Sequence, residues 1–237
     1  MNIKDQIILV TGANGGIGRA LVNAFLAAGA RKIYACARDI ASLDILPVDD
    51  RISRLKLDIC NTASIEKAAM AARDVTLLVN NAGTGGGRLL GSQQIARREM
   101  EVNYFGTHAM CTTFAPILSN NGGGCIVNVI SVIGLVNMPS IGTYCASKAA
   151  LHSLTQGMRG ALSSQKTVVV GVYPGPVDTR MTDGLAMAKA SPESVAEEIL
   201  TGVAAGLEEI YPDSFAKKIH EGLLANPKEV AREMAKY

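Results

Sequence analysis

The stretch Thr11-Gly12-Ala13-Asn14-Gly15-Gly16-Ile17-Gly18 lies between the apolar run Ile7–Thr11 and a segment with helical spacing of its apolar residues, Gly18–Ala28. Glycines at a strand–helix junction let the backbone turn tightly and approach a pyrophosphate, whose charge is stabilised at the helix N-terminus. A tight turn without any ligand is the alternative interpretation. Because four glycines fall within seven residues at the first such junction of the chain, we favour a nucleotide-binding turn.

Strand-like and helix-like segments alternate along the rest of the chain. The predicted strands are Ile7–Thr11, Ile33–Ala37, Ile52–Leu57, Val75–Val79, Ile126–Ile130 and Thr167–Tyr173. The predicted helices are Gly18–Ala28, Thr62–Ala72, Ser92–Leu118 (with two helices meeting near Asn103), Tyr144–Gln165, Leu185–Ala190, one that begins at Ser191-Pro192, and one or two over Ser214–Tyr237. This alternation predicts an α/β fold: a single-domain, doubly wound (Rossmann) parallel sheet with helices on both faces, over residues 1–237.

Composition narrows the class of protein. The 237 residues are 48% hydrophobic and 19% charged, with a formal net charge of +2. The charge is too small to suggest binding to nucleic acid or to a membrane surface, and no apolar run approaches the ~20 residues that span a bilayer. Because the N-terminus lacks the apolar core of a signal peptide, we expect a cytoplasmic protein.

The cysteines and histidines do not indicate a metal site. Five cysteines without a C-x-x-C spacing are typical of buried thiols in a reducing compartment, and Cys145 is expected to point away from its neighbour Tyr144. The three histidines show no ligand spacing, and the acidic residues form no paired carboxylate site. We predict no metal.

A second cluster of chemistry-bearing residues lies between Ser131 and Lys148. Tyr144 and Lys148 are four residues apart in a helical segment, which places both side chains on one face. Ser131 closes a buried strand, so its hydroxyl, the phenol and the ammonium group are predicted to converge on one substrate oxygen and to transfer a proton. A surface tyrosine beside a solvated lysine is the alternative, and it would be preferred for an isolated Y-x-x-x-K pattern.

Three motifs together resemble the short-chain dehydrogenase/reductase family. They are the G-x-x-x-G-x-G spacing of Gly12, Gly16 and Gly18, the sequence Asn80-Asn81-Ala82-Gly83, and the sequence Tyr144-Cys145-Ala146-Ser147-Lys148. They occur in the family's order, and the resemblance extends to about Arg180. It implies a cofactor-binding half at about residues 1–125 and a catalytic and substrate-binding half at about residues 126–237.

The resemblance also implies which residues bind a dinucleotide. The glycine-rich turn contributes Gly12, Asn14, Gly16, Ile17 and Gly18; other strand ends contribute Asp58, Asn80, Ala82, Gly83, Pro174, Gly175, Val177 and Thr179; and Tyr144 and Lys148 contribute from their helix. Within that set, Asp58 matches an acid that contacts adenine. Capping of the next helix is the alternative role for Asp58, and a proline-punctuated strand end is the alternative for the Pro174 loop.

The choice between NADP and NAD depends on the residues that follow the second strand, Ala37-Arg38-Asp39. Relatives that prefer NAD carry an acid where this chain has Ala37, and a guanidinium is suited to bind the 2′-phosphate of NADP. NADP (NADPH) is therefore predicted in preference to NAD. Arg38 as a solvated surface charge is the alternative.

The resemblance implies a role for each catalytic candidate. Tyr144 would exchange a proton with the carbonyl oxygen while the cofactor exchanges hydride with the carbon. Ser131 would orient the carbonyl, and Lys148 would lower the pKa of the phenol, which is about 10 in water, and bind the ribose hydroxyls. Asn103 would bind a water that relays protons to Lys148.

The predicted function is an NADP-dependent carbonyl reductase or alcohol dehydrogenase. An apolar substrate lid over Met181–Ala190 suggests small to medium hydrophobic aldehydes or ketones as substrates. One alternative is a 3-oxoacyl-carrier-protein reductase, for which Arg97, Arg98 and Arg159 are candidates to bind the acidic carrier. The other is a non-catalytic NADP-binding sensor or scaffold. The family resemblance also implies a homodimer or homotetramer formed through Ser92–Leu118 and Tyr144–Gln165.

Overall fold

Seven parallel strands form one sheet in the order β3-β2-β1-β4-β5-β6-β7 in the computed structural model, which describes residues 1–237. The strands are β1 (Ile7–Thr11), β2 (Lys32–Ala37), β3 (Ile52–Lys56), β4 (Leu77–Asn80), β5 (Gly124–Val129), β6 (Thr167–Val172) and β7 (Glu209–Ile210). The strand order reverses between β1 and β4, and ligands of open α/β sheets bind at such a switch point, beyond the carboxyl ends of the strands.

Helices connect the strands and cover both faces of the sheet. They are α1 (Gly16–Ala27), α2 (Thr62–Ala71), α3 (Gln93–Met100), α4 (Thr107–Asn120), α5 (Gly142–Leu162), α6 (Pro192–Ala204), α7 (Ser214–Ala225) and α8 (Pro227–Met234). None of these helices combines the length and the apolar character needed to cross a membrane.

Two apolar cores lie on opposite faces of the sheet, which is why its strands are nearly continuous apolar runs. The core on the α1 and α6 face has 26 buried residues, and the core on the α2 and α4 face has 18. A smaller core of 11 buried residues joins the segment after β5 to α5, α7 and α8. Cys145 lies in this third core, and all five cysteines are free thiols. This architecture confirms the predicted doubly wound sheet.

Asn103 lies where the long helical stretch after β4 changes its geometry. The segment Glu101–Gly106 between α3 and α4 is a π-helix, and Asn103 is fully buried in its middle. The prediction of two helices meeting near Asn103 is therefore confirmed. Short π-helical segments are rare and occur mostly at functional sites.

One predicted helix is absent, and one strand was not predicted. Leu185–Ala190 is not a helix, because Ala190 at its end pairs in parallel with Val177. Backbone bonds from Asp178 and to Pro176, 2.9 Å each, hold the pairing of Ala190. The two-residue strand β7 was not predicted at all, since so short a segment has no period to detect.

Candidate active site

The glycine-rich turn lies at the carboxyl end of β1 and leads directly into α1. Gly12 has a φ of +63°, where a side chain would be strained, and a Cβ on Gly18 would collide with the carbonyl oxygen of Gly12. No side chain caps the N-terminus of α1 at Gly15. Free amide groups on a closely packed, glycine-rich turn fit the pyrophosphate of a dinucleotide.

Asn81 and Thr11 brace this turn against the end of β4, and sequence analysis did not identify either of them. The Asn81 side-chain amide donates to the backbone carbonyls of Thr11 (2.9 Å) and Gly12 (3.1 Å). The Thr11 hydroxyl accepts from the backbone amides of Asn81 (2.9 Å) and Ala82 (3.0 Å). Asn81 and Thr11 therefore hold the ends of β1 and β4 together.

Asn80 points to the opposite side, into the interior of the molecule. Its Nδ2 donates to Oδ1 of Asn128 on β5 at 2.9 Å, and its own Oδ1 is buried without a hydrogen-bond partner. Successive side chains of a strand face opposite sides of the sheet, so Asn80 and Asn81 cannot both face the turn. If Asn80 binds the predicted cofactor, it does so through its backbone.

Arg38 is exposed at the end of β2 and takes part in no ion pair. Its neighbour Asp39 caps the short helical turn that follows, because Oδ1 accepts from the amide of Ala41 at 3.1 Å. The guanidinium is therefore free to bind an anion, whereas the adjacent carboxylate is already engaged with the backbone.

Asp58 lies one strand further, after β3, and is half-buried. Its Oδ1 accepts from the amide of Cys60 at 3.0 Å. The cap of α2 is Asn61, whose side chain accepts from the amide of Ser64 at 2.9 Å. The alternative role of Asp58 as the cap of that helix is therefore wrong.

Ser131, Tyr144 and Lys148 converge at the carboxyl end of β5. The Ser131 hydroxyl donates to the carbonyl of Pro174 at 3.1 Å. The Lys148 ammonium donates to the carbonyl of Val129 at 2.9 Å and lies 5.7 Å from the centre of the Tyr144 ring. The four-residue spacing on α5 thus places the phenol and the ammonium group on one face, as the sequence predicts.

Burial dominates the acidity of both groups on α5. It raises the pKa of the Tyr144 phenol, with smaller contributions from Cys145, which also raises it, and from the Ser131 hydroxyl, which lowers it. Burial lowers the pKa of the Lys148 ammonium to about 7. The protein's own groups therefore keep the phenol protonated at neutral pH, whereas the sequence analysis expected Lys148 to lower the pKa of Tyr144.

The Asn103 side chain ties the loop after β4 to α5. Its Nδ2 donates to the carbonyl of Thr84 and to the hydroxyl of Ser147, both at 2.8 Å, and its Oδ1 accepts from the amide of Thr84 at 2.9 Å. Both amide hydrogens are thus used within the protein. A relay water near Lys148 would therefore have to donate to the second lone pair of Oδ1 or bind the backbone of the π-helical segment.

The Pro174-Gly175 loop after β6 completes the edge of the site. The amide of Gly175 donates to Oδ2 of Asp213 at 2.7 Å, and Oδ1 of the same carboxylate caps α7 by accepting from the amide of Ala216 at 2.8 Å. Sequence analysis did not identify Asp213 as part of the site. The only signal was an acidic residue before a helical segment, which predicts a helix cap but not its second partner.

Further along this loop, Val177 is buried and Thr179 packs against the glycine-rich turn. A Cβ on Gly16 would lie 2.5 Å from the methyl carbon of Thr179. The segment that follows exposes Met181 and Leu185 to 54% and 42%. The structure therefore brings the Pro174–Thr179 loop against the nucleotide-binding turn and leaves apolar side chains beside it.

The three arginines considered for carrier-protein binding do not form a patch. Arg97 and Arg98 are exposed in the last turn of α3. Arg159 lies on α5, where it forms an ion pair of 3.3 Å with Glu209 and donates to the carbonyls of Glu208 and Val169. Arg159 is therefore occupied at the far edge of the sheet.

Comparisons with known proteins agree with this geometry. A family model described as short chain dehydrogenase matches residues 6–190. The chain is 32% identical over 192 residues to the probable galactose dehydrogenase GalD of Rhizobium meliloti (strain 1021), covering 75% of this chain and 74% of that protein. It is 30% identical over 234 residues to dehydrogenase/reductase SDR family member 7B of Danio rerio, covering 85% and 75%.

Among solved structures, a short chain dehydrogenase from Burkholderia cenocepacia J2315 in complex with NADP superposes with a TM-score of 0.94. It is 37% identical, and the match covers 99% of each chain. The fold, the order of the motifs and the extent of these matches lead to one assignment. The chain is an oxidoreductase that belongs to the short-chain dehydrogenase/reductase family.

Proposed function

We propose that this protein is an NADP-dependent oxidoreductase that transfers hydride between the cofactor and a carbonyl/alcohol pair, with Tyr144 as general acid and base. The observation that carries the proposal is the convergence of Ser131, Tyr144 and Lys148 at the carboxyl end of β5, beside the glycine-rich turn of β1. A carbonyl group placed between these elements meets a protonated phenol and a hydroxyl.

The residues at the strand ends fit a dinucleotide. The turn at Gly12 exposes backbone amides at the uncapped start of α1, and a Cβ on Gly83 would lie in contact with Nζ of Lys148, at 3.5 Å. The residues proposed to bind the cofactor are Gly12, Asn14, Gly16, Ile17, Gly18, Arg38, Asp58, Asn80, Ala82, Gly83, Tyr144, Lys148, Pro174, Gly175, Val177 and Thr179. When bound, NADPH supplies the hydride.

Each residue of the chemical cluster contributes differently to the reduction. The Tyr144 phenol, which burial keeps protonated, donates its proton to the carbonyl oxygen. The Ser131 hydroxyl, which donates to the carbonyl of Pro174 in this structure, turns to donate to the same substrate oxygen and orients the carbonyl. Lys148, with its pKa lowered to about 7, changes charge near neutral pH and stabilises the phenolate that remains.

Replacement of Tyr144 by phenylalanine tests the proposal. It removes the proton donor but keeps the ring, so we expect kcat for carbonyl reduction to fall by about 10²–10⁴-fold while NADPH still binds. NADPH oxidation measures turnover, and quenching of NADPH fluorescence measures binding. Tyr237→Phe, at an exposed tyrosine outside the site, is the matched control. If carbonyl reduction survived Tyr144→Phe, the proposed mechanism would be wrong.

The preference for NADP rests on Arg38. This side chain is exposed and free of acidic partners, and Asp39 is engaged in a helix cap. A 37% identical structure was determined in complex with NADP. We expect Arg38→Ala to raise KM for NADPH by at least about 10-fold, since a bidentate contact to phosphate is lost, and to leave KM for NADH nearly unchanged. An equal effect on both cofactors would contradict this assignment.

The substrates we propose are small to medium hydrophobic aldehydes or ketones, or the matching alcohols. The support is the apolar character of Met181 and Leu185, which lie exposed in the segment after the Pro174 loop. Burial of such side chains against an apolar substrate is favourable, whereas a charged substrate would be desolvated without compensation. A panel of carbonyl compounds tests this: equal kcat/KM for charged and apolar members would refute it.

Two other functions have less support. A carrier-protein reductase would need a basic surface beside the site, and Arg159 is committed to Glu209 on the opposite edge. A sensor without turnover would have no need for the assembled group of Asn103, Ser131, Tyr144 and Lys148. Loss of turnover in Tyr144→Phe separates the enzyme from the sensor.

We also propose a cytoplasmic homodimer or homotetramer. Large apolar side chains are exposed on and beside α3, namely Leu89, Leu90, Ile95 and Phe105, and burial of exposed apolar side chains favours association. Sedimentation velocity of the purified protein tests the assembly, and a monomer at micromolar concentration would contradict it.

A further inference from the structure

Glu99 is a buried carboxylate for which the proposed mechanism has no role. It lies in the last turn of α3, its exposed fraction is 1%, and no ion pair involves it. Removal of a carboxylate from water is costly unless hydrogen bonds compensate for the lost hydration. A carboxylic acid that is buried without a neighbouring cation is therefore expected to have a structural or chemical role.

The hydrogen bonds of Glu99 join two segments that flank the proposed site. Its Oε1 accepts from the amide of Gly87 at 2.9 Å, and its Oε2 accepts from the hydroxyl of Thr143 at 2.6 Å. The amide of Thr143 in turn donates to the carbonyl of Gly87 at 3.2 Å. The loop after β4 and the first turn of α5 are thus tied to each other and to α3.

Both tied segments touch Tyr144. Thr143 precedes it in α5, and the loop lies directly against its ring, because a Cβ on Gly85 would be 2.7 Å from the Cδ2 atom of Tyr144. A Cβ on Gly87 would lie 2.9 Å from Oε2 of Glu99. The glycine loop is therefore packed between the carboxylate and the phenol ring, with no room for side chains at these positions.

We propose that Glu99 is a positioning residue for Tyr144: by holding Gly87 and Thr143 together it fixes the ring between the glycine loop and α5. The inference rests on the proposed function of Tyr144. Glu99 acts here through its two hydrogen bonds, which fix the position of the Tyr144 ring, and its negative charge is not required.

A pair of substitutions separates geometry from charge. In Glu99→Gln the amide oxygen can accept from Gly87 and the amide nitrogen can donate to the Thr143 hydroxyl. The hydroxyl proton then turns to the carbonyl of Gly87, which is 2.9 Å away. Both ties survive without the charge. Glu99→Ala removes both ties.

We expect Glu99→Gln to keep kcat within about 3-fold of the parent and Glu99→Ala to lower kcat by about 10- to 100-fold, since small displacements of reacting groups have effects of this size. KM for NADPH should change little in either variant, because the ties do not involve the nucleotide-binding turn. Glu66→Ala, at an exposed glutamate on α2 outside the proposed site, is the matched control and should retain the kcat of the parent.

A second measurement does not depend on turnover. Amide hydrogen exchange over residues 85–87 should become at least about 10-fold faster in Glu99→Ala and stay unchanged in Glu99→Gln, because exchange reports local opening. If Glu99→Ala does not fold, Thr143→Ala removes one of the two ties and should show both effects at smaller size.

The inference would be overturned if Glu99→Ala had the kcat and the hydrogen-exchange rates of the parent. It would also be overturned if both Glu99 variants lost kcat equally, since the loss would then come from the missing negative charge. Failure of the proposed function is distinct, since it shows as turnover retained by Tyr144→Phe. In that event the hydrogen-exchange comparison still decides whether Glu99 holds the loop.

Discussion

At the scale of single residues, burial changes the pKa of the ionisable groups at the proposed site. Lys148 has an exposed fraction of 4% and makes one hydrogen bond, to the carbonyl of Val129. Burial of an ammonium group disfavours its charged form, and it lowers the pKa of Lys148 to about 7. Burial of Lys148 at the site therefore reduces the stability of the folded protein.

The pKa of Lys148 predicts how stability depends on pH. The ordinary value is 10.5, so between about pH 7 and pH 10.5 the unfolded chain binds more protons here than the folded chain does. The contribution of Lys148 to folding is therefore least favourable below pH 7 and improves as the pH rises through this window.

Replacement of Lys148 by methionine should remove this pH-dependent cost. We expect the variant to unfold about 3–8 °C above the parent at pH 6, corresponding to roughly 1–3 kcal/mol, and the difference to shrink by pH 10. Thermal unfolding followed by circular dichroism measures it, with Lys228→Met at an exposed lysine as the control. A difference of the same size at both pH values would show that burial of the charge is not the cause.

At the scale of elements, helix ends and strand ends position the functional groups. The helix α5 carries Tyr144 and Lys148 one turn apart, and the π-helical segment Glu101–Gly106 turns Asn103 inward to hold the loop after β4. Asp213 caps α7 and also binds the backbone of Gly175. One carboxylate thus connects the last helices of the fold to a loop proposed to contact the cofactor.

Asp213→Asn should separate these two functions of the cap. An asparagine has one acceptor oxygen in place of two, so either the Gly175 amide or the Ala216 amide loses its partner. We expect the free energy of unfolding to fall by about 1–2 kcal/mol and Kd for NADPH to rise several-fold, about 3- to 10-fold.

The matched control is Asn226→Ala, which removes the cap of α8 without touching the proposed site. It should lower stability by a similar amount and leave Kd for NADPH unchanged. Chemical denaturation and fluorescence titration measure the two quantities. If Asp213→Asn lost stability but bound NADPH like the parent, the carboxylate would be a helix cap only.

At the scale of the whole molecule, the strand order determines which sequence motifs meet. The neighbours β1, β4, β5 and β6 end in the glycine-rich turn, the Asn80–Gly83 segment, Ser131 and the Pro174 loop, so four adjacent strand ends form one continuous edge. Parallel strands all point their carboxyl ends the same way, which is why motifs spread from Thr11 to Thr179 lie side by side.

Much of this arrangement was predictable from local patterns. Five of the six longer strands were found because both faces of a parallel sheet are buried, which makes each strand an apolar run. The edge strand β3 is only half-buried and was found by its alternation of apolar and polar residues. Three further features were found because each depends on residues that are close together in the chain. They are the glycine-rich turn, the spacing of Tyr144 and Lys148, and the cap of α6 at Ser191. The helix predicted over Leu185–Ala190 does not form, because the pairing of Ala190 with Val177 overrides the helical preference of this segment.

The sequence by itself determined the class of fold and predicted the glycine-rich turn and the cluster of Ser131, Tyr144 and Lys148, since these follow from periodicity, glycine content and helical spacing. Only the tertiary structure decided how those residues are held. Asn81 binds across 70 residues to Thr11, Glu99 across 44 to Thr143, and Asp213 across 38 to Gly175. Such partners come together only when the strands take their order in the sheet, and no local pattern records which distant backbone group a buried polar side chain will meet.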